Sequence, residues 1–133
     1  MYAIRYTFKA YERLKREQNI DTLFRTGKAF SVFPVRAIYH IVPMAVGEES
    51  PVRVGFSVPK KKFRKSVDRH RIARLMREVW RLNKHLVYEA VPPDKQVHLF
   101  FMFTDTTMPA MPAVHSAVTG SIAKLVQMLS PDA

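Results

Sequence analysis

The chain contains no cysteine. Disulfides, thiolate metal sites and a cysteine nucleophile are excluded together, which fits a cytoplasmic address. Glycine is scarce, at 4 of 133 residues, and Gly27 and Gly55 stand isolated, so no glycine-rich loop is available to cradle a phosphate. No run approaches the roughly 18 apolar residues of a membrane span. The longest, Val97 to Phe103, suits a buried strand instead. The opening MYAIRYTFKAYERLKREQ is broken by charge every few positions and lacks the apolar centre of a signal peptide, so a soluble protein with no membrane partner is expected. Histidine is present but scattered: no two of His40, His70, His85, His98 and His115 have the i,i+4 spacing of a helical metal pair. Asp68 and Glu78 lie ten residues apart and are better explained by helix capping and ion pairing than by general acid and base work. Acids are also few, 11 against 22 Lys and Arg, which leaves a net charge of +11 and a pI near 10.3. Nucleic acid is therefore the first candidate partner and an anionic membrane surface the second.

What is present suits one domain. A length of 133 residues at 47% hydrophobic content supports a single core. Residues 1–18 read as a basic and aromatic N-terminal arm and residues 130–133 as a frayed C-terminus. Half of the Lys and Arg, 11 of 22, fall between Lys60 and His85, in KKKFRKSVDRHRIARLMREVWRLNKH. Ser66 is a candidate N-cap and Asp68 suits the first turn, so the spacing predicts a helix from Ser66 to Leu86. Ile72, Leu75, Met76, Val79, Leu82 and Leu86 form its apolar stripe. At roughly 100° per residue the opposite side gathers His70, Arg74, Arg77, Arg81 and Lys84. Like charges at this spacing repel, so the ridge calls for a polyanion. The lysine run leads from a strand end into the helix N-terminus, where free backbone N–H groups add to anion binding.

Along the rest of the chain, Asn19 is a candidate cap for a short helix, Ile20 to Thr26, closed by Gly27. Ala29 to Val42 is β-branched and aromatic, with Pro34 marking an edge or a break between two strands. The loop Pro43 to Pro51 leads to Val52–Val58, whose strict alternation predicts the return strand of a hairpin. After Pro92 and Pro93 comes Gln96 to Phe103, apolar on both faces and hence central. Val114, Val118, Ile122, Leu125 and Leu129 then mark a last amphipathic helix. The order is α-β-β-β-α-β-α, a single α+β domain. Trp80, at the stripe edge, is a core residue or a base-stacking one. Phe24 and Tyr39, interleaved with Arg36 and Arg53, either pack on the sheet or offer a platform to single-stranded nucleic acid.

Arg53 to His85, RVGFSVPKKKFRKSVDRHRIARLMREVWRLNKH, resembles the signature of the bacterial ribonuclease P protein subunit. Arg53, Val54, Gly55, Ser57, Val58, Lys60 and Lys61 match its strand and lysine pair. Arg69, Arg71, Ile72, Arg74, Leu75, Arg77, Glu78, Trp80 and Arg81 match its helix. Upstream, RLKREQNIDTLFRTGK is similar to the family's first helix. His70 stands where the family has Asn, Ala73 replaces a usual Lys, and Thr104 and Asp105 end a strand that is often basic.

The resemblance implies a fold like domain 2 of ribosomal protein S5, with the basic helix in a left-handed crossover. It implies a subunit that binds ribonuclease P RNA and the 5′ leader of precursor tRNA, while the RNA and its Mg2+ hydrolyse the phosphodiester. No protein partner is required. Lys60, Lys61, Lys62, Lys65, Arg69, His70, Arg71, Arg74, Arg77 and Arg81 would face the catalytic RNA. Ile20, Phe24, Arg36, Tyr39 and Ser57 would line the leader cleft. The main alternative is a ribosome-associated RNA-binding module of the same superfold; a DNA-binding protein would require a short partner helix before the basic one, and an autonomous ribonuclease a His or carboxylate pair, and the sequence shows neither.

Overall fold

The computed structural model describes residues 8–14 and 17–129. The parts of the N-terminal arm and C-terminal fraying that fall at 1–7, 15–16 and 130–133 lie outside the described residues. A short 3-10 turn, Ala10–Glu12, precedes α1 (Glu17–Thr26), β1 (Lys28–Val32), β2 (Val35–Pro43), β3 (Val52–Ser57), α2 (Ser66–Ala90), β4 (Lys95–Phe103) and α3 (Met111–Leu129). Four strands form one mixed sheet in the order β1-β2-β4-β3. β1 and β4 both run antiparallel to β2, and β3 runs parallel to β4, joined to it through α2.

The expected hairpin between β2 and β3 does not form, because β4 lies between them. Each β4 residue from Gln96 to Phe101 is buried. A strand apolar on both faces gains most at the centre of a covered sheet, and that gain displaces the sequential neighbour.

Period-2 alternation sends the strands' side chains to two different layers. Val35, Ala37, Tyr39, Val54, Leu99, Phe101 and Phe103 face α2 and α3 and share a core with Ile72, Met76, Val79, Trp80, Val118, Ile122 and Leu125. Ile38 and Phe100 point the other way and pack with Leu14 and Leu23, so α1 covers the opposite face. Trp80 is fully buried and belongs to the core.

Several local expectations change. Ser66 is the first residue of α2 rather than its cap; Lys65 occupies the cap position and makes no side-chain cap bond. The helix runs past Leu86 to Ala90, and its buried residues are Ile72, Met76, Val79, Trp80, Lys84 and Val87. Leu82 and Leu86 are each 45% exposed. The stripe is rotated by about one residue from the expected one, because Trp80 offers the sheet more apolar surface than Leu82. α1 begins at Glu17, which places Asn19 inside the helix. Gly27 follows it for a steric reason: a Cβ there would meet the Leu23 carbonyl oxygen at 2.4 Å and that of Tyr39 at 2.9 Å.

Lys84 is the largest departure. It belongs to the buried side of α2, not to the cationic ridge, and forms an ion pair with Glu12. The Tyr88 hydroxyl donates to the same carboxylate at 2.7 Å. Burial, together with the neighbouring carboxylate, pushes the Tyr88 phenol well above its usual range. The pair fastens the N-terminal segment to the helix, and the Leu14 amide then donates to the Val54 carbonyl at 3.0 Å, so the segment covers the β3 edge. A covered edge cannot recruit a foreign strand.

Candidate nucleic-acid interface

Two regions collect the side chains expected to bind. The first is the turn Lys60–Lys62 with the outward side of α2. Phe63, buried amid the cations, packs its ring 5.8 Å from that of Phe103 and pins the turn to the sheet end. Lys62 Nζ donates to the Thr104 carbonyl at 2.6 Å. Arg69 reaches back from the first helical turn and donates to the Phe63 and Arg64 carbonyls at 2.8 and 3.0 Å. One cation on each side of the loop thus fixes the backbone on which the others stand.

Lys60, Lys61, Lys62, Lys65, His70, Arg71 and Arg74 are exposed, and Arg69, Arg77 and Arg81 half-buried. Arg81 is engaged with Glu78 at 2.5 Å, and that hydrogen bond holds the Glu78 carboxyl below its usual range. The ridge therefore runs from the lysine turn through Arg71, Arg74 and Arg77, and a carboxylate moderates its far end at Arg81. Positive charge next to free helical N–H groups suits phosphates.

The second region is the sheet face under α1. Register sets its rows: Ile38, Phe100 and Gly55 lie side by side, and Arg36, Met102 and Ser57 form the next row towards the sheet end. Phe24, 47% exposed, stands edge-on to Phe100 with ring centroids 5.3 Å apart. Ile20 packs beside it on the Leu14–Leu23–Ile38–Phe100 cluster. Gly55 makes room for this arrangement, since a Cβ would stand 2.7 Å from the Phe100 ring. An apolar, partly open floor edged by Arg36 and Ser57 results. Such a surface can stack a base and hold its phosphate.

Ile20, Phe24, Arg36 and Ser57 are thus brought together, and Tyr39 is not. Tyr39 is 6% exposed, lies on the opposite face, and directs its hydroxyl to Met128 Sδ at 3.4 Å. Its neighbour Ile38 takes the place expected for it. The strand's alternation could have shown this, because Arg36 and Tyr39, three residues apart, cannot share a face. Phe100, Met102 and Phe63 are the contributors that sequence reasoning missed. An apolar residue inside a lysine run was the available signal for Phe63.

Beyond Phe100 the same face carries His40 opposite His98, with Arg53 next in register. His98 Nε2 lies 3.0 Å from Gln96 Oε1. Burial holds the His98 imidazole below its ordinary value, and the nearby His40 and Arg53 add to the effect. Arg53 is committed to a bidentate pair with Glu48, at 3.1 and 2.7 Å, whose carboxyl it holds down. This end of the face is internally compensated, unlike the end bearing Arg36. Among the described residues no three His, Asp or Glu side chains converge to hold a metal ion, and no helix is long and apolar enough to cross a membrane.

A family model described as Ribonuclease P matches residues 8–125. The ribonuclease P protein components of two Porphyromonas gingivalis strains are 36% identical over 116 and 119 residues, spanning 86% of this chain and 82% of theirs. That of Chlorobaculum tepidum is 44% identical over a shorter 66 residues, 46% of this chain and 43% of its own. In structure, the RNase P protein of Staphylococcus aureus aligns with a TM-score of 0.66 at 19% identity, over 89% of this chain and 99% of its own. The protein from Thermotoga maritima aligns at 0.52 and 18% identity, over 89% and 94%. At such identities these two establish a shared fold.

Proposed function

Because the chain belongs to the ribonuclease P protein family, we propose that its two binding regions divide the work of a protein component between two RNAs. The lysine turn and the ridge Lys60, Lys61, Lys62, Lys65, Arg69, His70, Arg71, Arg74, Arg77 and Arg81 dock the catalytic RNA. The α1-covered face, with Ile20, Phe24, Arg36 and Ser57, receives the 5′ leader of precursor tRNA. The observation that carries this reading is the division of α2 itself. One side fills the core with Ile72, Met76, Val79 and Trp80, while Arg71 and Arg74 stand exposed beside an exposed lysine turn.

In this reading phosphodiester hydrolysis belongs to the RNA subunit. Magnesium would be held mainly by the RNA and by substrate phosphates, the oxygen ligands this hard cation prefers. The chain's part is to neutralise phosphates, orient the leader and strengthen substrate binding. His70 can donate a hydrogen bond to RNA from the position where an Asn is usual. We further read the parallel β3–α2–β4 unit as the left-handed crossover of ribosomal protein S5 domain 2, and the cytoplasm as the place of action.

Reconstitution tests the proposal. Added to a bacterial ribonuclease P RNA at low magnesium, the protein should accelerate cleavage of precursor tRNA, and R71E/R74E should lose most of that effect and flatten the salt dependence of RNA binding. Absence of stimulation by the wild-type chain would overturn the reading; cleavage by the protein alone would favour an autonomous nuclease.

A further inference from the structure

Among the described residues two aromatic side chains are exposed, Phe24 at 47% and Phe33 at 72%. The cleft accounts for Phe24. Single exposed apolar residues are ordinary on protein surfaces, so the setting of Phe33 is what distinguishes it. It occupies the two-residue turn between β1 and β2, above the Val32–Val35 pair.

That turn is fixed from below. Pro34 is buried, and its carbonyl accepts from the Thr104 amide at 2.8 Å. The Thr104 carbonyl accepts from Lys62. Phe33 therefore stands within two hydrogen bonds of the Lys60–Lys62 turn, at the end of the sheet. On the α1 side, the row of Arg36, Met102 and Ser57 is the last before that end, and it follows the row of Ile38, Phe100 and Gly55 that lies beneath Phe24. Phe33 precedes Arg36 of that row by three residues and stands at the sheet end that also carries the Lys60–Lys62 turn. An aromatic ring on a rigid support stacks any base, and presents it with little ordering cost.

Resting on the ribonuclease P reading, we propose that Phe33 is a second stacking platform, for an unpaired leader nucleotide beyond the one received at Phe24. Continuity with the Arg36 row assigns it to the leader rather than to the catalytic RNA.

The test uses the holoenzyme reconstituted with a bacterial ribonuclease P RNA. Affinity is measured for precursor tRNAs whose leaders are shortened one nucleotide at a time, with wild type, F33A and F33W. F33A should weaken binding of long leaders about 5- to 100-fold, lose its effect once the leader is too short to arrive, and be restored by F33W. Its melting temperature and its affinity for the catalytic RNA alone should match wild type. Equal affinities at every leader length would overturn the proposal, as would a deficit that persists with the shortest leader or appears against the catalytic RNA alone. A wild-type protein that fails to stimulate cleavage would instead remove the reading beneath it.

Discussion

Replacing Lys84 by methionine removes one half of an ion pair whose side chains are 3% and 5% exposed. The Glu12 carboxylate would keep two uncharged donors, the Tyr88 hydroxyl at 2.7 Å and the Lys9 amide at 3.3 Å, but no counter-ion among the described residues. A buried charge left without its counter-ion costs about 3–5 kcal/mol, against a total of roughly 5–15 kcal/mol for a domain. For a chain of this size each kcal/mol moves the midpoint by about 3–5 °C, so K84M should melt about 10–25 °C below wild type by circular dichroism. Replacing both partners with apolar residues, E12L/K84M, should recover most of the loss, because the desolvation cost vanishes with the charges. RNA affinity and its salt slope, measured below the melting range, should be unchanged in the double variant, since Lys84 faces the core. A single variant melting within about 3 °C of wild type would refute the reasoning, and a reduced salt slope would return Lys84 to the ridge.

Two further outcomes follow from the sheet's opposite faces. F24A should weaken binding of a leader-bearing precursor to the holoenzyme about 5- to 100-fold, whereas Y39F, which loses only the contact to Met128, should bind like wild type; a leader defect in Y39F would sink the assignment of faces. His98 is held below its ordinary 6.5 by burial, so below that pH the unfolded chain binds the extra proton and stability falls as pH drops towards the lowered value. Urea midpoints at about pH 7.5 and about pH 5.5 should therefore differ less in H98Q than in wild type; equal differences would refute the link.

Legibility in the sequence varied with how local the cause was. The α3 stripe Val114, Val118, Ile122, Leu125 and Leu129 is buried as its spacing predicts, because amphipathic period depends on residues a few positions apart. The central position of β4 was legible for a similar reason, as both of its faces are apolar. β2 was harder. Val35, Ala37 and Tyr39 serve one core while Ile38 serves the other, and a strand covered on both sides no longer shows which phase faces which partner. Lys84 gave no sign at all, since its partner lies 72 residues away. The β2–β3 hairpin failed because sequence neighbours pair by default, and only comparison with β4 reveals a better competitor.

By itself the sequence determined that this is a basic α+β protein with a cationic helix following a lysine run, because charge, propensity and period are properties of short stretches. Tertiary structure decided which cations reach solvent, drawing Lys84 inward to Glu12 across 72 residues of chain. It also decided which aromatics share a face, setting Phe24 over Phe100 and sending Tyr39 to the opposite core. Those choices follow from strand order and from the burial of surfaces far apart in the chain, and no local pattern carries them.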